Sequence, residues 1–208
     1  MIDLAVVLTT FALIFPAELP DKTFIATLVL ATRFPRLWVW LGVAAAFAIQ
    51  VLIAVTAGSL LALLPQRLVL GVTFVLFAAG AVIMIKGGLS SRAAEQADEA
   101  DEEAEITSRA DQQAPTSALR VFATSFVILF TAEWGDLSQL LTAGLAARTG
   151  DPVSVFIGSW SALLVVSGIA VLVGAWLRTR VAIWRIRLVS GGILTALAIW
   201  TAVEFVQA

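Results

Sequence analysis

The chain has no cysteine and no histidine. Without cysteine it can form no disulfide framework, and the redox state of its compartment cannot be read from the sequence. Thiolate and imidazole are the ligands that copper and zinc prefer, so a site for these ions is not expected. For the same reason the sequence offers no serine–histidine or histidine–metal centre for hydrolysis, and we do not expect an enzyme.

Charged residues are scarce as well. They make up 13% of the 208 residues, against about 25% in a soluble domain. Hydrophobic residues make up 60%, which predicts a membrane protein bound to the lipid bilayer rather than to nucleic acid. No lysine or arginine precedes Lys22, so the first apolar run lacks the basic region of a signal peptide and is expected to be a retained span.

Six apolar runs predict an all-α membrane protein with six transmembrane helices. They cover about residues 4–31, 37–64, 68–85, 119–147, 153–177 and 186–206. Residues 1–89 and 118–208 each hold three of them and are predicted to be two three-helix repeats. Two prolines, Pro16 and Pro20, are expected to break the first helix.

Residues 90–117 differ in composition from the rest of the chain. Eight acids lie there, and almost no apolar residue: Glu95, Asp98, Glu99, Asp101, Glu102, Glu103, Glu105 and Asp111. Such a segment buries too little apolar surface to order itself, so we predict a flexible acidic linker. A short amphipathic helix and a weak cation-collecting tail are the alternatives.

One polar pattern interrupts both the first and the fourth run, at a separation of 115 residues. The matched pairs are Glu18 with Glu133, Asp21 with Asp136, Thr23 with Ser138, Thr27 with Thr142, and Arg33 with Arg148. Residues three or four positions apart share a helix face, so Glu18, Asp21 and Lys22 are expected to project together. If the two spans meet, four carboxylates converge near one lysine.

Four buried anions against one lysine must take up protons, bind a cation, or alternate between the two. Carboxylate and hydroxyl oxygens suit calcium, magnesium or manganese. We therefore predict a metal site with four carboxylate ligands and several supporting residues. The ligands are Glu18, Asp21, Glu133 and Asp136, and the supporting residues are Lys22, Thr23, Thr27, Gln50, Ser138, Gln139 and Thr142. An isolated Glu–Lys pair would suggest only a lock between helices, but the repetition favours transport.

Two three-span units in tandem must face opposite ways across the membrane, as in many secondary transporters. Ten lysines and arginines lie in the connections after spans one, three and five, against only Arg67 and Arg148 on the other side. The positive-inside rule then places the 90–117 linker in the cytoplasm and both termini outside.

The doubled motif resembles that of a family of small cation transporters marked by two Glu-x-Gly-Asp-Lys/Arg-Thr/Ser motifs. This family includes Golgi manganese/calcium transporters and bacterial manganese exporters, and the resemblance covers almost the whole chain. It implies a transporter in a bacterial plasma membrane that exports or exchanges manganese or calcium, with protons as counter-ion and no resident cofactor. The chain departs from the motif at Pro20, Phe24 and Leu137.

Two other functions stay open on the sequence. Related three-plus-three folds carry amino acids or other small cationic metabolites, so the cargo is not fixed by the fold. The chain is also compatible with a non-transporting membrane scaffold in which the buried charges only set the register of the helices.

The predicted topology can be tested directly because the chain has no cysteine. A single cysteine placed at Ser108 should react with a membrane-impermeant thiol reagent only after the cells are opened, since the linker is predicted to be cytoplasmic. A cysteine placed at Asp3 should react in intact cells. The reverse pattern of labelling would contradict the topology.

Overall fold

The computed structural model describes residues 2–18, 22–89, 92–112, 117–180 and 183–207. Within these ranges all regular secondary structure is α-helical. The helices are α1 (Leu4–Glu18), α2 (Lys22–Arg33), α3 (Arg36–Leu61), α4 (Gln66–Leu89), α5 (Arg92–Gln112), α6 (Ala118–Ala132), α7 (Leu137–Thr149), α8 (Pro152–Arg180) and α9 (Ile183–Gln207). The predicted all-α membrane class is confirmed.

Three helical stretches are long and apolar enough to cross a membrane unaided: α3, α4 and Pro152–Leu172 of α8. The pairs α1–α2 and α6–α7 meet the same criteria if each is one broken span, with bends of 70° and 74°. The described ranges thus contain up to five spans by length and composition. The sixth predicted span falls on α9, whose apolar stretch Gly191–Gln207 is shorter, and it stays a prediction.

Two aromatic pairs occupy matching places in the two halves. Phe11 and Phe15 stack on α1, with ring centroids 5.5 Å apart and planes 10° apart. Phe126 and Phe130 stack on α6, with the same separation and an 8° angle. Each phenylalanine of the second pair lies 115 positions after its counterpart, as the acids do. The local packing of the two halves is therefore the same just before each break.

Two glycines bring helices of different halves into close contact. A Cβ at Gly42 of α3 would lie 2.4 Å from the carbonyl oxygen of Phe122 in α6, and a Cβ at Gly158 of α8 would lie 2.6 Å from that of Val7 in α1. Val7 and Phe122 again differ by 115 positions. The contact of α3 with α6 thus repeats that of α8 with α1, whereas the opposite orientation of the repeats in a membrane stays a prediction.

Polar contacts gather several segments at one end of the bundle. The backbone N–H of Asp3 donates to the hydroxyl of Ser154 at 2.8 Å, and the guanidinium of Arg148 donates to the carboxylate of Glu204 at 3.1 Å. The C-terminal part of α3 lies near this end, since a Cβ at Gly58 would lie 2.3 Å from the carbonyl oxygen of Ala143 in α7. Arg33 precedes the other end of α3, whose 26 residues span about 39 Å. Arg33 therefore lies at the opposite end, with α5.

Helix α5 differs from the flexible linker that composition favours, and corresponds to the amphipathic alternative. Ile106 and Ala110 lie on one face of this helix, 6% and 0% exposed, and both belong to the main hydrophobic core. They pack the otherwise acidic helix against α2 and α6. The burial of two apolar side chains thus docks a segment whose overall composition is typical of a solvent-exposed linker.

We expect Gly42→Ala and Gly158→Ala each to lower the melting temperature in detergent, because the new methyl group meets a carbonyl oxygen. Overpacking of this kind costs about 1–3 kcal/mol. Gly192→Ala is the matched control, since no atom lies within 4 Å of its Cβ position and alanine favours a helix over glycine by about 1 kcal/mol. Equal melting temperatures for all three variants would contradict the close helix contacts.

Candidate cation site

The second broken span turns at Gly135, between α6 and α7. Gly135 has a φ of 77°, a left-handed conformation that side chains with a Cβ rarely adopt. The backbone N–H of Glu133 still bonds to the carbonyl oxygen of Leu129, which closes the last turn of α6. Helix α7 then starts after Asp136 in a new direction, 74° away. The break therefore follows from local backbone chemistry.

Two glutamines bond to carbonyl oxygens at this break. Gln139 donates from Nε2 to the carbonyl oxygen of Glu133 at 2.6 Å, and its Oε1 accepts from the N–H of Gly135 at 3.2 Å. Gln50 of α3 donates to the carbonyl oxygen of Phe130 at 3.2 Å. Side-chain amides thus replace the helical hydrogen bonds that end at the break. Both glutamines belong to the predicted supporting set, and both hold backbone carbonyl groups in place at the break.

Asp136 caps the N-terminus of α7. Its Oδ1 accepts from the backbone N–H of Gln139 at 2.9 Å, and its Oδ2 accepts from the hydroxyl of Ser138 at 2.9 Å. An aspartate at this position satisfies an N–H group that has no partner within the helix. The carboxylate is half-buried, and these bonds fix its orientation. The sequence analysis predicts Asp136 only as a ligand, and this capping role is an additional finding.

Glu18 and Glu133 occupy equivalent places at the two breaks. Glu18 is the last residue of α1 and is 1% exposed, and Glu133 directly follows α6 and is 2% exposed. Carboxyl groups are almost never buried to this extent without hydrogen-bonding or ionic compensation. The structure therefore places one acid of each motif in the interior, at the end of its half-helix.

The four predicted hydroxyl groups belong to residues that closely follow these acids in sequence, and all four residues are buried. Thr23 and Thr27 of α2 are both 0% exposed, and Ser138 and Thr142 of α7 are 4% and 1% exposed. Within the described part of the chain, the hydroxyls of Thr23 and Thr27 have no hydrogen-bond partner. Buried hydroxyl groups in proteins are usually hydrogen-bonded, so these two oxygens are candidates for contact with an ion or a water.

Thr142 has a partner that the sequence does not point to. Its hydroxyl bonds to that of Ser159 on α8 at 3.0 Å, and Ser159 is 0% exposed. The sequence does not single out Ser159, because α8 contains several serines and serine is common at the close helix contacts of membrane proteins.

The two motifs adjoin in the structure. Helix α1 contacts α7, and α2 contacts α6. Ala26 of α2 and Glu133 line the same cavity, which has a volume of about 140 Å³. Ala26 lies between Thr23 and Thr27 in sequence, so the first motif's hydroxyl-bearing helix borders the second motif's acid.

Other predicted ligands are not placed. Asp21 and Pro20 lie outside the described residues, and Lys22 begins α2 with a side chain that is not described. Among the residues that the structure describes, no group of three or more acids could hold a metal ion. The convergence of four carboxylates stays a prediction.

The two motifs differ in their apolar neighbours. Phe24, which stands where Gln139 stands in the second motif, is 4% exposed and packs against Val166 and Ala170 of α8. Leu137, at the position of Lys22, is half-buried and packs over Gly80 of α4. Both departures from the motif therefore fill apolar contacts between helices.

Comparison with known proteins connects this geometry to one family. The profile of the family described as "Divalent cation/proton antiporter GDT1" matches residues 6–92 and 121–208. These two stretches contain the two acidic motifs and leave out most of the linker. No solved structure matches the chain.

Several curated relatives are similar in sequence. The chain is 29% identical over 137 residues to "GDT1-like protein sll0615" of Synechocystis sp., covering 65% of the chain and 66% of that protein. It is 31% identical over 171 residues to "GDT1-like protein 5" of Arabidopsis thaliana, covering 72% and 74%. It is 30% identical over 174 residues to the rice "GDT1-like protein 2, chloroplastic", covering 77% of the chain but only 50% of that protein. The chain thus spans about half the length of some relatives.

The capping role of Asp136 can be separated from its charge. We expect Asp136→Ala to lower the free energy of unfolding by about 0.5–2 kcal/mol, because α7 loses its cap. Asp136→Asn should stay close to the parent, since asparagine caps equally well. Thermal unfolding of both variants in detergent measures this difference. If Asn and Ala were equally destabilising, the charge and not the cap would be what stabilises α7.

Proposed function

Because the chain belongs to the GDT1 family of divalent cation/proton antiporters, we propose that it is a secondary transporter that exchanges manganese or calcium for protons. The resemblance inferred from the doubled motif is confirmed at the level of the family, whose members are transporters rather than enzymes. Three parts of this statement are proposals: that the ion is manganese or calcium, that it moves in the opposite direction to protons, and that the protein lies in a bacterial plasma membrane.

The observation that carries the proposal is the burial of Glu18 and Glu133 at matching helix breaks. Moving a carboxylate out of water costs several kcal/mol even after relaxation of the protein. A single buried carboxyl group would be enough to fix the register of two helices. Here two carboxyl groups are buried at equivalent positions, so the desolvation cost arises twice. Ionisable groups inside a membrane bundle are typical of ion and proton pathways.

Charge neutrality suggests how exchange works. A buried carboxylate without a cation is stabilised by a proton, and a divalent cation that binds there displaces it. Protons and metal would then compete for the same oxygens. Two repeats that rock about the site could expose it first to one side of the membrane and then to the other.

The oxygens around the breaks support a hard cation. The described groups near Glu18 and Glu133 include carboxylates, hydroxyls and backbone carbonyls, whose oxygens suit manganese or calcium. The hydroxyls of Thr23 and Thr27, which lack partners within the described residues, are available as additional oxygens or as donors to a bound water.

Cavity size favours an ion over an organic cargo. The cavity beside Glu133 has a volume of about 140 Å³, and one water takes about 30 Å³ of liquid volume. It therefore suits a metal ion with a few waters better than an amino acid with its hydration shell.

The test is flux into proteoliposomes with an imposed pH gradient and an internal pH dye. We expect manganese or calcium uptake to depend on the gradient and to move protons in the opposite direction, and zinc to be transported no better. Glu18→Gln and Glu133→Gln should each abolish coupled flux, because each removes a titratable ligand with little change in size. Glu99→Gln in α5 is the matched control and should retain flux.

Two results would contradict the proposal in different ways. Metal flux that neither responds to the pH gradient nor moves protons would rule out antiport. Amino-acid flux with no metal flux would support the metabolite exporter instead.

A further inference from the structure

Helix α5 docks on the bundle through a small apolar face. Ile106 and Ala110 are buried in the core, whereas Glu105 and Asp111 beside them are exposed. The helix therefore presents one apolar face to the bundle and a charged face to solvent. Burial of so little apolar surface makes the docked state easy to leave.

The docked helix forms one wall of the cavity that contains Glu133. Glu105, Ile106 and Arg109 line it from α5, and the remaining lining residues are Ala26 of α2 with Thr131, Ala132 and Glu133 at the end of α6. A segment between the two repeats thus covers the acid of the second motif.

Polar contacts hold α5 over this cavity. The guanidinium of Arg109 donates to the hydroxyl of Thr131 on α6 at 3.5 Å, which joins the two helices. It also donates to the carboxylate of Glu105 at 2.6 Å, a bond within α5 that orients the guanidinium. A second contact joins the guanidinium of Arg33, at the end of α2, to the carboxylate of Asp111. The side chains of Arg33 and Asp111 are 35% and 65% exposed, so this ion pair is weak and sensitive to salt.

The matching arginine of the second repeat is used differently. Arg148 bonds to Thr201 at 2.9 Å and to Glu204 at 3.1 Å, both on α9. Its partners belong to the helical bundle itself. The contacts of Arg148 thus join two helices of the same repeat, whereas the partner of Arg33 belongs to the linker, which is part of neither repeat.

We propose that α5 is a lid over the Glu133 cavity, with Arg109 as the cationic group that occupies its mouth and Arg33–Asp111 as its latch. A divalent cation approaching from this side is repelled by the guanidinium until the lid lifts. Lifting removes the guanidinium and opens the route to Glu133. What passes through this route rests on the proposed function, whereas the covering of the cavity does not.

The lid can be tested by thiol labelling, because the chain has no other cysteine. Ala132→Cys places a small, half-buried thiol on the cavity wall. In detergent, where both faces are accessible, a charged methanethiosulfonate reagent should modify it slowly. Adding Arg109→Gln or Ile106→Ser should raise the rate about tenfold, since a lid that opens more readily by 1.4 kcal/mol is open about ten times as often.

Arg120→Gln is the matched control for loss of one positive charge. Arg120 is exposed on α6 and does not line the cavity, so the labelling rate should be unchanged. High salt should accelerate labelling of the parent by screening Arg33–Asp111. If Ile106→Ser lowers the yield of folded protein, the Arg109→Gln and salt results decide the test.

Equal labelling rates in Arg109→Gln, Ile106→Ser and Arg120→Gln, with no effect of salt, would overturn the lid. Manganese and calcium flux in proteoliposomes is measured separately on the same variants. Lid-dependent labelling without flux of either ion in any variant would reject the transporter and leave the lid standing. Manganese or calcium flux in the parent, together with labelling rates that neither the variants nor salt changes, would reject the lid and leave the transporter standing.

Discussion

The rest of the structure depends on the cost of keeping carboxyl groups inside an apolar bundle. Glu18 and Glu133 are both almost fully buried, and each lies where a helix stops. A helix break frees backbone carbonyls that also need partners away from water. Breaking the helix beside the acid therefore concentrates carboxylate and carbonyl oxygens in one region. A cation can stabilise such a cluster of oxygens, whereas lipid chains and apolar side chains cannot.

Helix packing repeats more faithfully than polar chemistry does. The stacked phenylalanines and the contacts of Gly42 and Gly158 recur at matching positions. The second break, however, has Gln139 across its turn, where the first has Phe24 packed on α8. Gln50 also bonds only at the second break among the described residues. The two half-sites are therefore chemically unequal, and a bound ion would not sit symmetrically between them.

Much of the fold follows from sequence because hydrophobic runs, scarce charges and a fixed offset are strong signals in a membrane protein. The break in the first span and the burial of Glu18 and Glu133 could be predicted. The bond of Thr142 to Ser159 could not, because it depends on how α7 faces α8. The docking of α5 was also hidden, since Ile106 and Ala110 are two residues in a helix that composition assigns to solvent. Local patterns predict elements, whereas contacts between distant elements need the geometry of the bundle.

The two ends of the bundle are covered differently because the linker lies at only one of them. Two repeats related by symmetry would close their two access routes in the same way, yet only one linker joins them. Near Arg148 the contacts join helices of the repeats themselves, α7 with α9 and the start of the chain with Ser154 of α8, so opening there requires these helices to move. Near Arg33 the covering element is α5, held by an exposed ion pair and two small apolar residues. Opening at that end requires only the linker to leave. Access from the linker side can thus respond to salt without any change in the helices that hold the acids.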